Sequence, residues 1–219
     1  GPEVLWRSLV RLGFGRSPDS GFPGEAEGSL PHHRHWREID HATMAFGYGL
    51  SVSAVQLASA YTALANGGVL MQAGIVRLDA PPAGTRVLSR TVADQIRRML
   101  EGVVTGGTGT RAQIPGYRVA GKTGTVRKTK PGGGYAKDRY LALFAGMIPA
   151  SRPRLVGVVV IDEPRTGGYF GGEVAAPVFS SIMTEAVRLF DITPDDLRPG
   201  NPVPAGGVRP VRLDGGGPL

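Results

Sequence analysis

Residues 141–162 read LALFAGMI, then PASRPR, then LVGVVVID. Both octets are almost wholly apolar, and the second is rich in β-branched residues, so they predict strands over Leu141–Ile148 and Leu155–Asp162. The second is apolar on both faces, which predicts a buried central strand. The connection between them is too short for a crossover, so the pair is antiparallel. Working outward, Tyr117–Val126 predicts a third strand. Three helices flank this region. The first, 53–65, opens on Ser53-Ala-Val-Gln56, a capping box, and stops at Asn66-Gly67-Gly68. The second, 91–103, carries Val92, Ile96, Met99, Leu100 and Val103 at helical spacing. The third, 177–190, starts with Pro177 in its first turn and has a stripe of Val178, Ile182, Ala186 and Leu189. The fold class is therefore layered α/β (α+β): an antiparallel sheet flanked by helices.

Composition bounds the rest. The 219 residues suit one domain, read as 1–190, followed by a tail over 191–219 with six Gly and six Pro that predicts disorder. There is no Cys, hence no disulfide framework and no thiolate metal site. No apolar run is long enough to cross a membrane, and Gly1–Trp6 lacks the pattern of a signal peptide. The net charge of +7 is concentrated in 111–139, where eight basic residues face only Asp138. Such a cluster fits an anionic partner (nucleic acid, phosphate or a carboxylate) or a plain solvated loop.

Inside that cluster lies Gly121-Lys122-Thr123-Gly124-Thr125. Gly116 through Thr123 also satisfies G-x-x-x-x-G-K-[ST], the nucleotide-binding loop. That loop needs a helix opening at the Lys-Thr, and Gly124-Thr-Val-Arg-Lys-Thr-Lys-Pro131 cannot supply one. On a strand, the same residues form the Lys-Thr-Gly signature of serine transpeptidases and β-lactamases. A Lys there raises the local positive potential, and Gly permits close approach of an extended substrate. The amide after it can donate to an oxyanion.

The surroundings strengthen the second reading. LGFGRSPDSGFPGEAEGSLP, FGYGLSVSAVQLASAYTALANGGV, VAGKTGTVRKT and GGYFGGEVAAPVFSSI occur in one order. Together they resemble the C-terminal part of class B penicillin-binding proteins over about residues 3–190. The pattern is similar to the septal, cell-division peptidoglycan D,D-transpeptidases, with the cell-elongation paralogue as the alternative. A non-catalytic basic binding module is a further one. The resemblance implies the penicillin-binding transpeptidase fold, incomplete at the N-terminus. No Ser here has Lys three residues on or Asn two residues on, so the family's nucleophile, its activating lysine and its Ser-x-Asn motif are missing. The expectation is a fragment, inactive alone, of an enzyme that cross-links stem peptides by serine acyl transfer.

By that resemblance Lys122, Thr123, Gly124 and Thr125 are the catalytic motif. Lys122 assists a proton relay. Thr123 and Thr125 bind the carboxylate of a D-Ala-D-Ala stem peptide or a β-lactam, and the Thr125 amide forms half of the oxyanion hole. Arg127 strengthens carboxylate binding, Tyr169 and Phe170 form an aromatic lip, and Tyr48 lies near the groove. The implied partners are stem peptide, β-lactams and divisome membrane proteins, with no nucleic acid. The implied location is the periplasmic face of the inner membrane, anchored by an upstream segment. No cofactor and no metal are expected. His32, His33, His35 and His41 lack metal-ligand spacing and read as a solvated loop. Gly47-Tyr48-Gly49 reads as a turn. Asp162-Glu163 is adjacent on a strand, which predicts side chains on opposite faces.

Overall fold

The computed structural model describes residues 1–197 except 78, 81, 131, 133, 166 and 167. Helices α1 (Pro2–Arg11), α2 (Glu38–Met44) and α3 (Ala54–Ala65) come first. A short pair follows, β1 (Val69–Leu70) with β2 (Thr85–Arg86), and then helix α4 (Arg90–Gly106). Strands β3 (Ala120–Thr129), β4 (Tyr135–Ile148) and β5 (Leu155–Asp162) form an antiparallel sheet in that order, closed by helix α5 (Gly171–Leu189).

The layered architecture is as the sequence predicts, with differences. The central strand is β4. β5 lies at the edge of the described sheet, and none of its residues is fully buried. A wholly apolar run cannot by itself distinguish a middle strand from an edge strand that packs on both faces. Helix α5 begins at Gly171, so Pro177 sits inside it. Proline removes the amide that would bond the carbonyl four residues back. Here the Arg111 guanidinium donates to that carbonyl, Glu173 O, at 3.3 Å.

One face of the sheet packs on α5, where Phe144 meets Phe179 with ring centroids 4.8 Å apart. The other face, through Ala120 and Met147, packs on Tyr61 and Leu64 of α3. Gly121, Gly146 and Gly157 lie opposite one another across the three strands. A Cβ at Gly157 would lie 2.2 Å from Met183 Cε, and one at Gly121 2.5 Å from Phe144 Cζ. This glycine row therefore lets the aromatic core press close to the backbone.

The capping box of α3 is present. Ser53 Oγ accepts from the Gln56 amide, and Gln56 Oε1 accepts from the Ser53 amide. The same buried Gln56 donates from Nε2 to Arg16 O and Glu27 O at 2.8 and 2.9 Å. It thereby ties the glycine-rich 13–34 loop to the helix.

The core also extends past the expected boundary at residue 190. Ile192 is buried, and its carbonyl accepts from the Tyr117 hydroxyl. Asp195 accepts from the Arg118 and Ser151 amides. Within 191–197 of the predicted tail, Ile192 and Asp196 are thus buried, and 198–219 lie outside the described residues.

Candidate active site

Strand β3 runs unbroken through Gly121–Thr125, with no helix at Lys122-Thr123, so a nucleotide-binding loop is excluded. It is an edge strand of its sheet, which leaves alternate backbone groups free to pair with an extended peptide. The ladder sets Thr123, Thr125 and Arg127 opposite Phe144, Ala142 and Tyr140. Phe144 packs under α5, so these three residues share the α5 face. Lys122 takes the alternate, α3 face, and its side chain is exposed. Its ammonium curls back to donate to Thr123 O at 3.0 Å and Thr123 Oγ1 at 3.3 Å. The cation therefore meets the Thr123 hydroxyl.

Each threonine is held by a neighbouring element. Thr123 Oγ1 is 2.8 Å from Thr108 Oγ1, beyond the C-terminus of α4. Thr125 Oγ1 accepts from the Gly171 amide at the start of α5, at 3.0 Å. A Cβ at Gly171 would lie 2.3 Å from Leu143 O and 2.4 Å from Gly124 O. Only glycine lets the helix come this close to the motif.

Arg127 donates from Nη2 to the Tyr140 hydroxyl at 2.9 Å, and its guanidinium lies 5.4 Å from the centroid of that ring. Tyr140 stacks on Tyr169 at 4.2 Å, and Tyr169 contacts Phe170 at 4.3 Å. The Tyr140 hydrogen bond raises the Arg127 pKa, with smaller contributions from Tyr169 and Tyr48. Tyr48 stands in the Gly47–Gly49 turn, edge-on to Tyr135 at 6.2 Å. The structure thus brings Arg127, Tyr169 and Phe170 into one aromatic and cationic group beside Thr125, with Tyr48 at its margin. Tyr140, Thr108 and Gly171 join the site without having been singled out by sequence. Tyr140 lies just before the predicted strand Leu141–Ile148 but inside β4, which starts at Tyr135.

Two expectations are corrected. Asp162 and Glu163 do not diverge: both reach the Lys128 ammonium, at 2.8 Å each. The reason is that Glu163 adopts φ +50°, which turns the chain out of the strand. The histidines do not form a plain solvated loop either. His32, His33 and His35 are grouped, with His32 and His33 packed on Trp6 of α1 at 4.5 and 5.4 Å. Among the described residues no group of His, Cys, Asp or Glu could hold a metal ion.

The positive cluster is partly neutralised within the fold, because Lys128 and Arg139 pair with Glu163, and Arg118 pairs with Glu101. Two cavities, of about 370 and 400 Å³, flank α3 and contain none of the motif residues. The motif itself lies open along the strand edge.

The family model described as the penicillin binding protein transpeptidase domain matches residues 1–184. The chain belongs to the penicillin-binding protein transpeptidase family.

Among its relatives, a probable peptidoglycan D,D-transpeptidase PbpC of Pseudomonas aeruginosa is 46% identical over 199 residues, covering 90% of this chain and 35% of that protein. The peptidoglycan D,D-transpeptidase FtsI of Escherichia coli K12 is 42% identical over 200 residues, covering 91% and 34%. The chain therefore spans about a third of the length of the curated relatives it matches. The apo transpeptidase domain of Burkholderia pseudomallei penicillin-binding protein 3 superposes with a TM-score of 0.84 at 48% identity, covering 89% of this chain and 60% of that one.

Proposed function

We propose that this chain carries the Lys-Thr-Gly part of a peptidoglycan D,D-transpeptidase that works in septal cell-wall synthesis. Upstream residues of a longer protein supply the nucleophilic serine, its lysine and the Ser-x-Asn motif. The serine attacks the penultimate carbonyl of a D-Ala-D-Ala stem peptide, and terminal D-Ala leaves with the transferred proton. An amine of a neighbouring stem peptide then takes the acyl group, and the serine is restored. A β-lactam enters the same site and acylates the same serine.

In this reading each residue has a role. Lys122 supplies positive potential at the strand edge, beside the incoming serine, and takes part in the proton relay. Thr123 and Thr125 donate to the substrate carboxylate, backed by Arg127. The Thr125 amide contributes one donor of the oxyanion hole. Tyr169, Phe170 and Tyr140 flank the leaving portion of the ligand, with Tyr48 at the margin. The protein works at the periplasmic face of the inner membrane, held there by a segment upstream, and meets divisome membrane proteins.

The observation that supports this reading is the Lys-Thr-Gly-Thr run on edge strand β3, with Thr125 and Arg127 on one face and the Lys122 ammonium at Thr123 Oγ1. Fluorescent penicillin tests it. The full-length protein labels covalently, and unlabelled benzylpenicillin competes. A folded full-length protein that takes no label overturns the enzyme reading. Depletion in cells that yields filaments supports the septal role, whereas rounding of cells assigns the elongation role instead.

A further inference from the structure

The regular pairing of β3 with β4 ends at Arg127 opposite Tyr140. Beyond it the register is irregular, and Thr129 lies opposite Tyr135. Arg127 and Tyr140 thus stand beside an irregularity in the ladder, past which pairing resumes and the Lys130 amide donates to Gly134 O at 2.9 Å.

On the opposite face of the sheet, Glu163 joins the sequence neighbours of that same pair. Its Oε1 accepts from Lys128 at 2.8 Å and from Arg139 Nε at 2.7 Å. Lys128 follows Arg127, and Arg139 precedes Tyr140. The Glu163 amide also donates to Tyr140 O at 2.9 Å. Its left-handed φ of +50° is uncommon for a non-glycine residue and persists where the surroundings hold it. The two cations hold its carboxylate well below the usual range, near pKa 2, with Arg139 the larger cause. Lys128 has a second acceptor in Asp162, whereas Arg139 pairs with Glu163 alone among the described residues.

We propose that Glu163 is a positioning residue: by clamping Lys128 and Arg139 on one face of the sheet, it sets the Arg127 guanidinium and the Tyr140 hydroxyl on the other, ligand-binding face. This rests on the transpeptidase reading above. Glu163 touches no ligand. It acts through the backbone at the irregular end of the β3–β4 ladder, and its effect is confined to recognition of a carboxylate.

The test compares benzylpenicillin with its methyl ester as competitors of fluorescent penicillin in the full-length protein. Glu163→Gln slows acylation by the free acid about fivefold or more, the scale of one charge-assisted hydrogen bond. Acylation by the ester changes little. The double variant Arg127→Ala/Glu163→Gln is no slower than Arg127→Ala alone, because Glu163 works through Arg127. Arg139→Gln, which leaves the left-handed residue in place, shows the same acid-selective loss if Glu163→Gln fails to fold.

Equal loss on acid and ester means a merely structural role and overturns the proposal, as does unchanged discrimination. Additive loss in the double variant also overturns it. A wild-type protein that takes no label at all defeats the transpeptidase reading, and this proposal with it.

Discussion

The Thr125 hydroxyl accepts the Gly171 amide at 3.0 Å, so the first residue of α5 is hydrogen-bonded to strand β3. A hydroxyl has one proton and two lone pairs. With a lone pair occupied by a backbone amide, its proton is free to donate outward, as carboxylate binding requires. Thr125→Val therefore removes a ligand donor and strands the Gly171 amide. Penicillin acylation of the full-length protein should fall about tenfold or more, whereas Thr125→Ser should retain most of it.

Gly171→Ala tests the closeness of that contact. Its methyl would lie 2.3 Å from one backbone carbonyl and 2.4 Å from another, neither able to swing aside. The helix must shift, at a cost of about 1–3 kcal/mol. A lowered thermal midpoint together with slower acylation is the expected pair of results. An unchanged melt would show that the start of α5 shifts at little cost.

Tyr140→Phe separates the hydroxyl from the ring. The stack on Tyr169 at 4.2 Å survives, but Arg127 loses its 2.9 Å acceptor. Acylation by carboxylate-bearing β-lactams should slow about two- to tenfold, with the melting temperature little changed. Stopped-flow acylation beside calorimetry distinguishes this from a packing defect.

Phe179→Ala probes the face under the glycine row. Phe179 is fully buried against Phe144. The lost side chain leaves a cavity and should cost about 3–5 kcal/mol in denaturant unfolding. A loss below about 1 kcal/mol would mean that α5 collapses onto the sheet without strain.

Asp40 gives a pH dependence whose sign follows from its shift. The side-chain hydrogen bond from Arg37, with the Arg37 amide, lowers its pKa from 3.8 to about 2. A depressed folded pKa means stabilisation present above 3.8 and lost as pH falls through about 2. The melting-temperature difference between the wild type and Asp40→Asn should therefore be constant at neutral pH and narrow from about pH 4 to pH 2. A gap that persists at pH 2 would exclude this carboxylate as its source.

Much of the fold was legible because it rests on local patterns. The apolar octets at 141–148 and 155–162 form paired strands, and Ser53 with Gln56 caps α3 in the way their spacing requires. Helix α1 lies outside the predicted elements: its ten residues begin at Pro2, and its apolar stripe of Leu5, Trp6, Leu9 and Val10 is only half-buried. The start of α5 was misplaced at Pro177, because the proline rule is local and the compensating donor, Arg111, lies on a distant segment.

By itself the sequence determined the types of α3, α4, α5, β3, β4 and β5, the antiparallel pairing and the presence of a Lys-Thr-Gly-Thr strand, since period, turn chemistry and residue type act over a few neighbours. Only the tertiary structure decided that β4 is the centre, that Gly171 braces Thr125, that Tyr140 completes the Arg127 group and that Asp162 and Glu163 converge on Lys128. These contacts join residues 13 to 46 positions apart, or depend on one left-handed residue. Distances between such residues are set by how the layers pack, a quantity that no local pattern encodes.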